Sequence, residues 1–232
     1  GNYPVSPNTT NSIEYVNIAT DGNGSDFGTL STASQRATGT GGNATRSVFT
    51  EGTGDLDQIL YLNPNSTGNS IDFGNRTVSG SFAAGVTSPT RVCFAGAFTP
   101  SVSNIIDSVE IATTGNAVDF GDLTAALRNS TGCSSSTRGV FIGGKTPSQL
   151  TTLDSITIAS KGNALDYGDL TGAFSDSGGV SNSVTGFSCG GNSGGLSNVI
   201  QSFNIPTGGT AVDFGDLTAA KESGPANSGL HG

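Results

Sequence analysis

Five carboxylates recur at nearly constant spacing in this sequence: Asp26, Asp72, Asp119, Asp166 and Asp213, each followed by an aromatic residue and a glycine. A carboxylate pair can act as general acid and base only where two environments push the pKa values apart. Five equivalent aspartates do not meet that condition. A turn-locking role suits them better, each carboxylate accepting a backbone N–H beside its glycine. The stretch Asp21-Gly22-Asn23-Gly24-Ser25-Asp26 is oxygen-rich like a calcium loop. It lacks the downstream bidentate Glu, and the other four units do not repeat Asp21. His231 is the only histidine, so a multi-His metal site is excluded and a Ser-His-Asp triad would hang on the penultimate residue. Cys93, Cys133 and Cys189 show neither zinc-ligand spacing nor a disulfide framework and read as small buried thiols, with one pair plus a free thiol as the alternative. Arg46, Arg91 and Arg138 each precede an apolar run. They could bind an anion together, but pairing with an Asp of a neighbouring unit is the expectation. No catalytic residue, metal site or cofactor is expected, and the chain reads as a non-enzyme.

The elements that hold these residues follow from the period. Successive Asp residues lie 46, 47, 47 and 47 positions apart, and joining the two ends gives a further spacing of 45. Five units of about 47 residues therefore fill residues 1–232 as one repeat domain, the mark of a propeller or solenoid. The 36 glycines among 232 residues demand frequent turns and short strands. Only 12% of the residues are charged, yet the net charge is −9, which disfavours nucleic acid and anionic membranes as partners. No apolar run approaches membrane-spanning length.

Aligned on the Asp, Val16, Leu62, Val109, Ile156 and Phe203 stand ten residues upstream, and Ile18, Pro64, Ile111, Ile158 and Ile205 eight upstream. Apolar pairs with polar residues between them predict a half-buried strand, with Pro64 at an edge or end. Gly22, Gly68, Gly115, Gly162 and Gly209, usually followed by Asn, predict a hairpin, and the Asp-aromatic-Gly segment is the returning strand. A small-residue stretch such as 128–135 then supplies an inner strand, and segments such as 137–144 another apolar strand. Four short antiparallel strands per unit describe a propeller blade. The paired apolar columns and the aromatic after each Asp, Phe120 and Phe214 among them, are expected to be buried between blades.

Gly143-Gly144 after an apolar strand, then Ile156 and Ile158, then Tyr167, resembles the order of features in Kelch propeller blades, as does Gly190-Gly191 with Phe203, Ile205 and Phe214. There is no Trp, and the double glycine becomes Gly96-Ala97 and Glu51-Gly52 in two units. The phrase Gly115-Asn116-Ala117-Val118-Asp119-Phe120-Gly121-Asp122-Leu123 is similar to repeats in virion and tail-associated proteins of marine bacteriophages, especially those infecting cyanobacteria. The first resemblance implies an all-β fold: a five-bladed β-propeller of four-stranded antiparallel blades, its ring closed by N- and C-terminal segments sharing one blade. The second implies a virion location and a structural or host-attachment role, with other virion proteins or a host cell-surface glycan or protein as partner. The alternative is a secreted or cell-surface bacterial lectin-like propeller, and a propeller glycosidase is a third reading.

A partner would bind where units differ most, in segments 2–11, 53–58, 98–104, 145–152 and 192–198, because loops on a rigid scaffold carry recognition. Tyr3 and Phe98 are the aromatic candidates there, suited to stacking on a sugar or anchoring on a protein. Lys145, Gln149 and Asn192 are the polar ones.

Overall fold

The computed structural model describes residues 10–34, 39–51 and 56–222. These residues form an all-β protein without helices. The first sheet has two strands, β1 (Thr10–Tyr15) and β2 (Ser25–Ser34). Four four-stranded sheets follow, consistent with the blades of a five-bladed propeller. The second holds β3 (Thr40–Gly42), β4 (Ser47–Thr50), β5 (Gln58–Leu62) and β6 (Ile71–Asn75). The third holds β7 (Ala84–Thr87), β8 (Arg91–Phe98), β9 (Val102–Glu110) and β10 (Val118–Leu127). The fourth is β11 (Thr131–Ser134), β12 (Arg138–Ile142), β13 (Leu150–Thr157) and β14 (Leu165–Phe174). The fifth is β15 (Gly178–Ser181), β16 (Thr185–Asn192), β17 (Leu196–Asn204) and β18 (Val212–Lys221). Within each sheet, consecutive strands pair antiparallel in chain order, as the hairpin signals require.

The recurring triplet is a β-bulge. In the third sheet Asp119 lies opposite Asp107 and Gly121 opposite Ile106, which leaves Phe120 as an extra residue. The same offset occurs at Phe27, Phe73, Tyr167 and Phe214. A bulge frees backbone groups from the ladder and re-aims its side chain. The Oδ1 atoms of Asp72, Asp166 and Asp213 accept the N–H of the glycine two residues on, each at 3.1 Å, which is the turn-locking role.

The freed carbonyl clasps the next sheet. Gly68, Gly115, Gly162 and Gly209 donate their N–H groups to the carbonyls of Phe27, Phe73, Phe120 and Tyr167 at 2.7–2.9 Å. Two residues further on, Ser70, Ala117, Ala164 and Ala211 donate to Thr29, Asn75, Asp122 and Asp169. The hairpin Asn completes the clasp: Asn69, Asn116 and Asn163 accept the N–H of Thr29, Asn75 and Asp122 through Oδ1. The bulge glycine is required sterically. At Gly28, Gly74, Gly121 and Gly168 a Cβ would sit 2.2–2.4 Å from the carbonyl oxygen of the next hairpin glycine.

Between sheets lie three apolar clusters. Phe73 and Val48 of the second sheet meet Val92, Val109 and Ile111 of the third, and Phe120 and Ile106 of the third meet Phe141, Ile156 and Ile158 of the fourth. Leu153 and Leu170 of the fourth meet Phe203 and Ile205 of the fifth. One polar contact repeats inside each of these three boundaries. Thr77, Thr124 and Thr171 give both N–H and Oγ–H to an acceptor in the following sheet, respectively Asp107, Asp154 and Gln201.

The expected burial fails at the two ends of the array and also in the second sheet. Val109, Ile111, Ile156, Ile158, Phe203 and Ile205 are buried, but Val16 and Pro64 are exposed, Leu62 is half-buried and Ile18 is 98% exposed. Phe120 is 3% exposed, whereas Phe214 is 64% exposed. At the two ends the reason is local: those columns are covered by the sheet before, and the bulge aromatic by the sheet after. The first sheet has no sheet packed before it and the fifth none packed after it, among the described residues. A Cβ on Gly215 would meet nothing within 4 Å, unlike one on Gly28, Gly74, Gly121 or Gly168. Residues 1–9 and 223–232, on which a shared blade would depend, lie outside the described residues.

Candidate functional site

Antiparallel pairing sorts the chemistry onto two edges of the sheets. One edge carries the turns between the second and third strands of each sheet. They are tighter than the variable segments suggested, spanning only residues 99–101 and 193–195 in the third and fifth sheets. Phe98, Lys145 and Asn192 occupy one repeat position there, and Gln149 lies beside Asn192; all four are half-buried. Tyr3 lies outside the described residues.

These side chains are tied to neighbours within the chain. The Arg128 guanidinium carbon stands 4.2 Å above the Phe98 ring, a cation–π contact. Lys145 Nζ pairs with Asp176 Oδ2 at 3.5 Å. Gln149 Nε2 donates to Asn192 Oδ1 at 3.1 Å, and Asn192 Nδ2 donates to Glu222 Oε2 at 2.7 Å. Arg128, Asp176 and Glu222, each just past the fourth strand of a sheet, thus cap the end of that sheet's second strand. A ligand using this edge would have to replace those contacts.

The opposite edge carries the Gly-Asn hairpins and the start of each second strand. A cleft of about 280 Å³ lies there between Arg91, Glu110, Thr113, Asn116 and Lys161. One unit on, a second cleft of about 160 Å³ is bounded by Arg138, Thr157, Ser160, Lys161 and Asn163. Arg91 is fully engaged: Nε and Nη2 both donate to Glu110 Oε1, at 2.7 and 2.5 Å, and Nη1 donates to the Ile158 carbonyl at 2.8 Å. Arg46 likewise donates Nη1–H to the Ile111 carbonyl at 2.7 Å and stacks over Tyr61. Arg46 and Arg91 are held by carbonyls of the next sheet rather than by the aspartates expected, and Arg138 has no such partner. Glu110 and Lys161 were not singled out from the sequence; the change from Glu110 to Thr157 at one repeat position was the available signal.

The remaining titratable groups are inside or dispersed. No group of three or more His, Cys, Asp or Glu side chains is placed to hold a metal among the described residues. The five repeat aspartates are exposed at the sheets' outer strands. Burial pushes the Cys93 and Cys133 thiols up to about 12, so both stay protonated and unreactive at neutral pH. Cys189 is half-buried and its thiol is also pushed up by burial.

Asp154 is 2% exposed, and its acceptor bonds from Thr124 only partly offset a burial that pushes its carboxyl above the usual range. Gln201 accepts the same pair of bonds from Thr171 without a charge. A carboxyl raised on folding binds its proton more tightly in the native state. Its contribution is full below the unfolded pKa and declines as pH rises through the folded one. Asp154→Asn is therefore expected to be at least as stable as wild type at pH 7, with a Tm advantage that shrinks as the pH falls towards ~4. Thermal unfolding across that window checks it. A variant less stable at pH 7 than at pH 4, relative to wild type, would reverse the sign argued here.

No family model matches the chain, and no curated protein does.

Proposed function

We propose that this chain is a non-enzymatic, five-bladed propeller, closed between its fifth and first sheets, that serves as a structural or host-attachment component on a phage particle. The observation that carries the scaffold reading is the use of each repeated polar group. The Asp of the triplet locks a bulge, the hairpin Asn joins two sheets, and Asp107 and Asp154 accept threonine bonds in the interior. Groups spent this way, at equivalent places around an array, leave no asymmetric pair for acid–base chemistry. The virion assignment rests on the likeness of the Gly115–Leu123 phrase to phage repeats.

Closure is supported by what the two open faces carry. At each formed boundary the aromatic carbonyl and the carbonyl two residues on meet a hairpin glycine N–H and the N–H two residues on. Phe214 and Asp216 offer those carbonyls on the fifth sheet, and Gly22 and Gly24 those N–H groups on the first. Thr218 stands where Thr124 does, and Glu14 where its acceptor Asp154 does. The exposed Val16 and Ile18 are the repeat equivalents of Ile156 and Ile158, which cover Phe120. Each open face is the complement of the other.

Mass spectrometry of purified particles, from the genome that encodes the chain, tests the location. Competition of particle adsorption by the isolated protein tests attachment. Presence in the particle with inhibited adsorption is expected. Absence from particles, with secretion genes beside the coding sequence, would replace this reading with a secreted glycan-binding propeller.

A further inference from the structure

The arginine position repeats, but its surroundings do not. In the third sheet the Arg91 fork is filled by a carboxylate, Glu110, and its remaining nitrogen reaches the Ile158 carbonyl of the next sheet. In the fourth sheet both partners have gone. Thr157 stands in place of Glu110, and the Ile205 carbonyl is taken by the Tyr167 hydroxyl at 2.8 Å, a hydroxyl that Phe120 lacks. Arg138 is left stacked 4.7 Å from the Tyr167 ring centroid, with one long bond from Nη1 to Ser155 Oγ at 3.4 Å. Lys161, exposed on the hairpin of the same sheet, lines the same cleft and makes no ion pair among the described residues. No carboxylate lines this cleft.

We propose that the cleft between Arg138 and Lys161 binds a carboxylate borne by an acidic sugar residue. The neighbouring unit shows the species that the arginine fork takes, since Glu110 occupies it in cis. The ligand's carboxylate would stand where the Glu110 carboxylate stands one unit back, with Lys161 as a second cation. Guanidinium forks hold carboxylates through paired charge-assisted bonds, which gives orientation as well as affinity. The rest of the cleft suits a polyhydroxylated ring: Thr157 and Ser160 present hydroxyls, Asn163 its amide nitrogen, and the exposed Leu165 offers an apolar edge. The chain's net charge of −9 repels anions at long range, so binding should survive moderate salt, where that repulsion is screened and the contact pair persists. The attachment reading supplies a source for such a sugar, a host-surface glycan, but the cleft's chemistry stands without it.

The test is titration of the protein, followed by amide chemical shifts, with sodium D-glucuronate, D-glucose and N-acetyl-glutamate amide. Wild type should bind glucuronate saturably, with shifts centred on residues 155–165, and the other two probes roughly tenfold more weakly. Thr157→Glu, which installs the cis carboxylate, and Lys161→Ala should each weaken glucuronate binding roughly tenfold without lowering the melting temperature. Both positions lie at the edge of a sheet, so the fold is kept and the loss is read at the cleft. Equal binding of glucose, or unchanged binding by Thr157→Glu, would overturn the site. Equal binding of the glutamate amide would overturn the sugar class in favour of a protein carboxylate. Particle adsorption is not part of this readout, so the cleft and the virion role fail separately.

Discussion

Asp107→Leu is expected to destabilise the protein by about 3–5 kcal/mol, while replacing its partner, Arg76→Leu, costs far less. Both side chains have zero exposure, and Arg76 Nε donates to Asp107 Oδ2 at 2.9 Å. Removing the carboxylate strands a guanidinium that keeps only the Gly96 carbonyl, at 3.2 Å, and whose Nη1 has no partner. A guanidinium cannot shed its charge at any working pH. Asp107 has a way out when Arg76 is lost. It retains N–H and Oγ–H from Thr77. The next boundary already runs that way: Leu123 occupies the repeat position of Arg76, and Asp154 lives beside it on Thr124 alone. Arg76→Leu therefore converts one boundary into a copy of its neighbour. Denaturant unfolding at pH 7 measures the asymmetry. Equal costs for the two variants would mean that the pair acts by packing volume rather than by charge.

Much of the strand pattern could be read from periodicity because the units repeat it. In the third sheet the apolar residue ten before the Asp, Val109, falls in β9 and the triplet in β10, while the residue eight before, Ile111, lies just past β9 in the turn. The bulge was not legible in the same way. A period-two pattern places Phe120 on one face by counting, but an extra residue shifts that parity, and only the partner register reveals it. The end effects were also hidden: a column shared by five units says that Ile18 and Ile111 are alike, not that only Ile111 has a sheet laid over it. The loop-edge candidates suffered a related limit. Phe98, Lys145 and Asn192 differ in type at one position because their caps differ in step, Arg128, Asp176 and Glu222 respectively. Variation that suggested recognition is matched here by covariation of contacts within the chain. At the other edge a difference between units left Arg138 without the partner that Arg91 has.

A matched pair of glycine substitutions decides whether the end faces meet. Gly121 and Gly215 occupy one repeat position with φ near +150° and +144°. Any side chain there bears the cost of a positive-φ backbone, of order 1–3 kcal/mol. Gly121 adds a second cost, because a Cβ would lie 2.4 Å from the Gly162 carbonyl oxygen and push apart the clasp between the third and fourth sheets. Gly215 faces open space. A closed ring would bring the first sheet's hairpin, with the Gly22 carbonyl, to the place that Gly162 fills for Gly121. Closure therefore predicts that Gly215→Ala loses as much stability as Gly121→Ala, and that both exceed the backbone cost alone. A Gly215→Ala deficit confined to that backbone cost would leave the fifth and first sheets apart in solution. Protein concentration separates the two ways of closing. A ring within one chain makes the Gly215→Ala deficit independent of concentration, whereas head-to-tail stacking between chains makes it grow as the protein is concentrated. Because the two faces carry one complementary set of groups, Phe214 and Asp216 against Gly22 and Gly24, the length of the array selects between these outcomes. Five units match a small closed ring, and closure within the chain has the advantage of an effective concentration that no second copy matches.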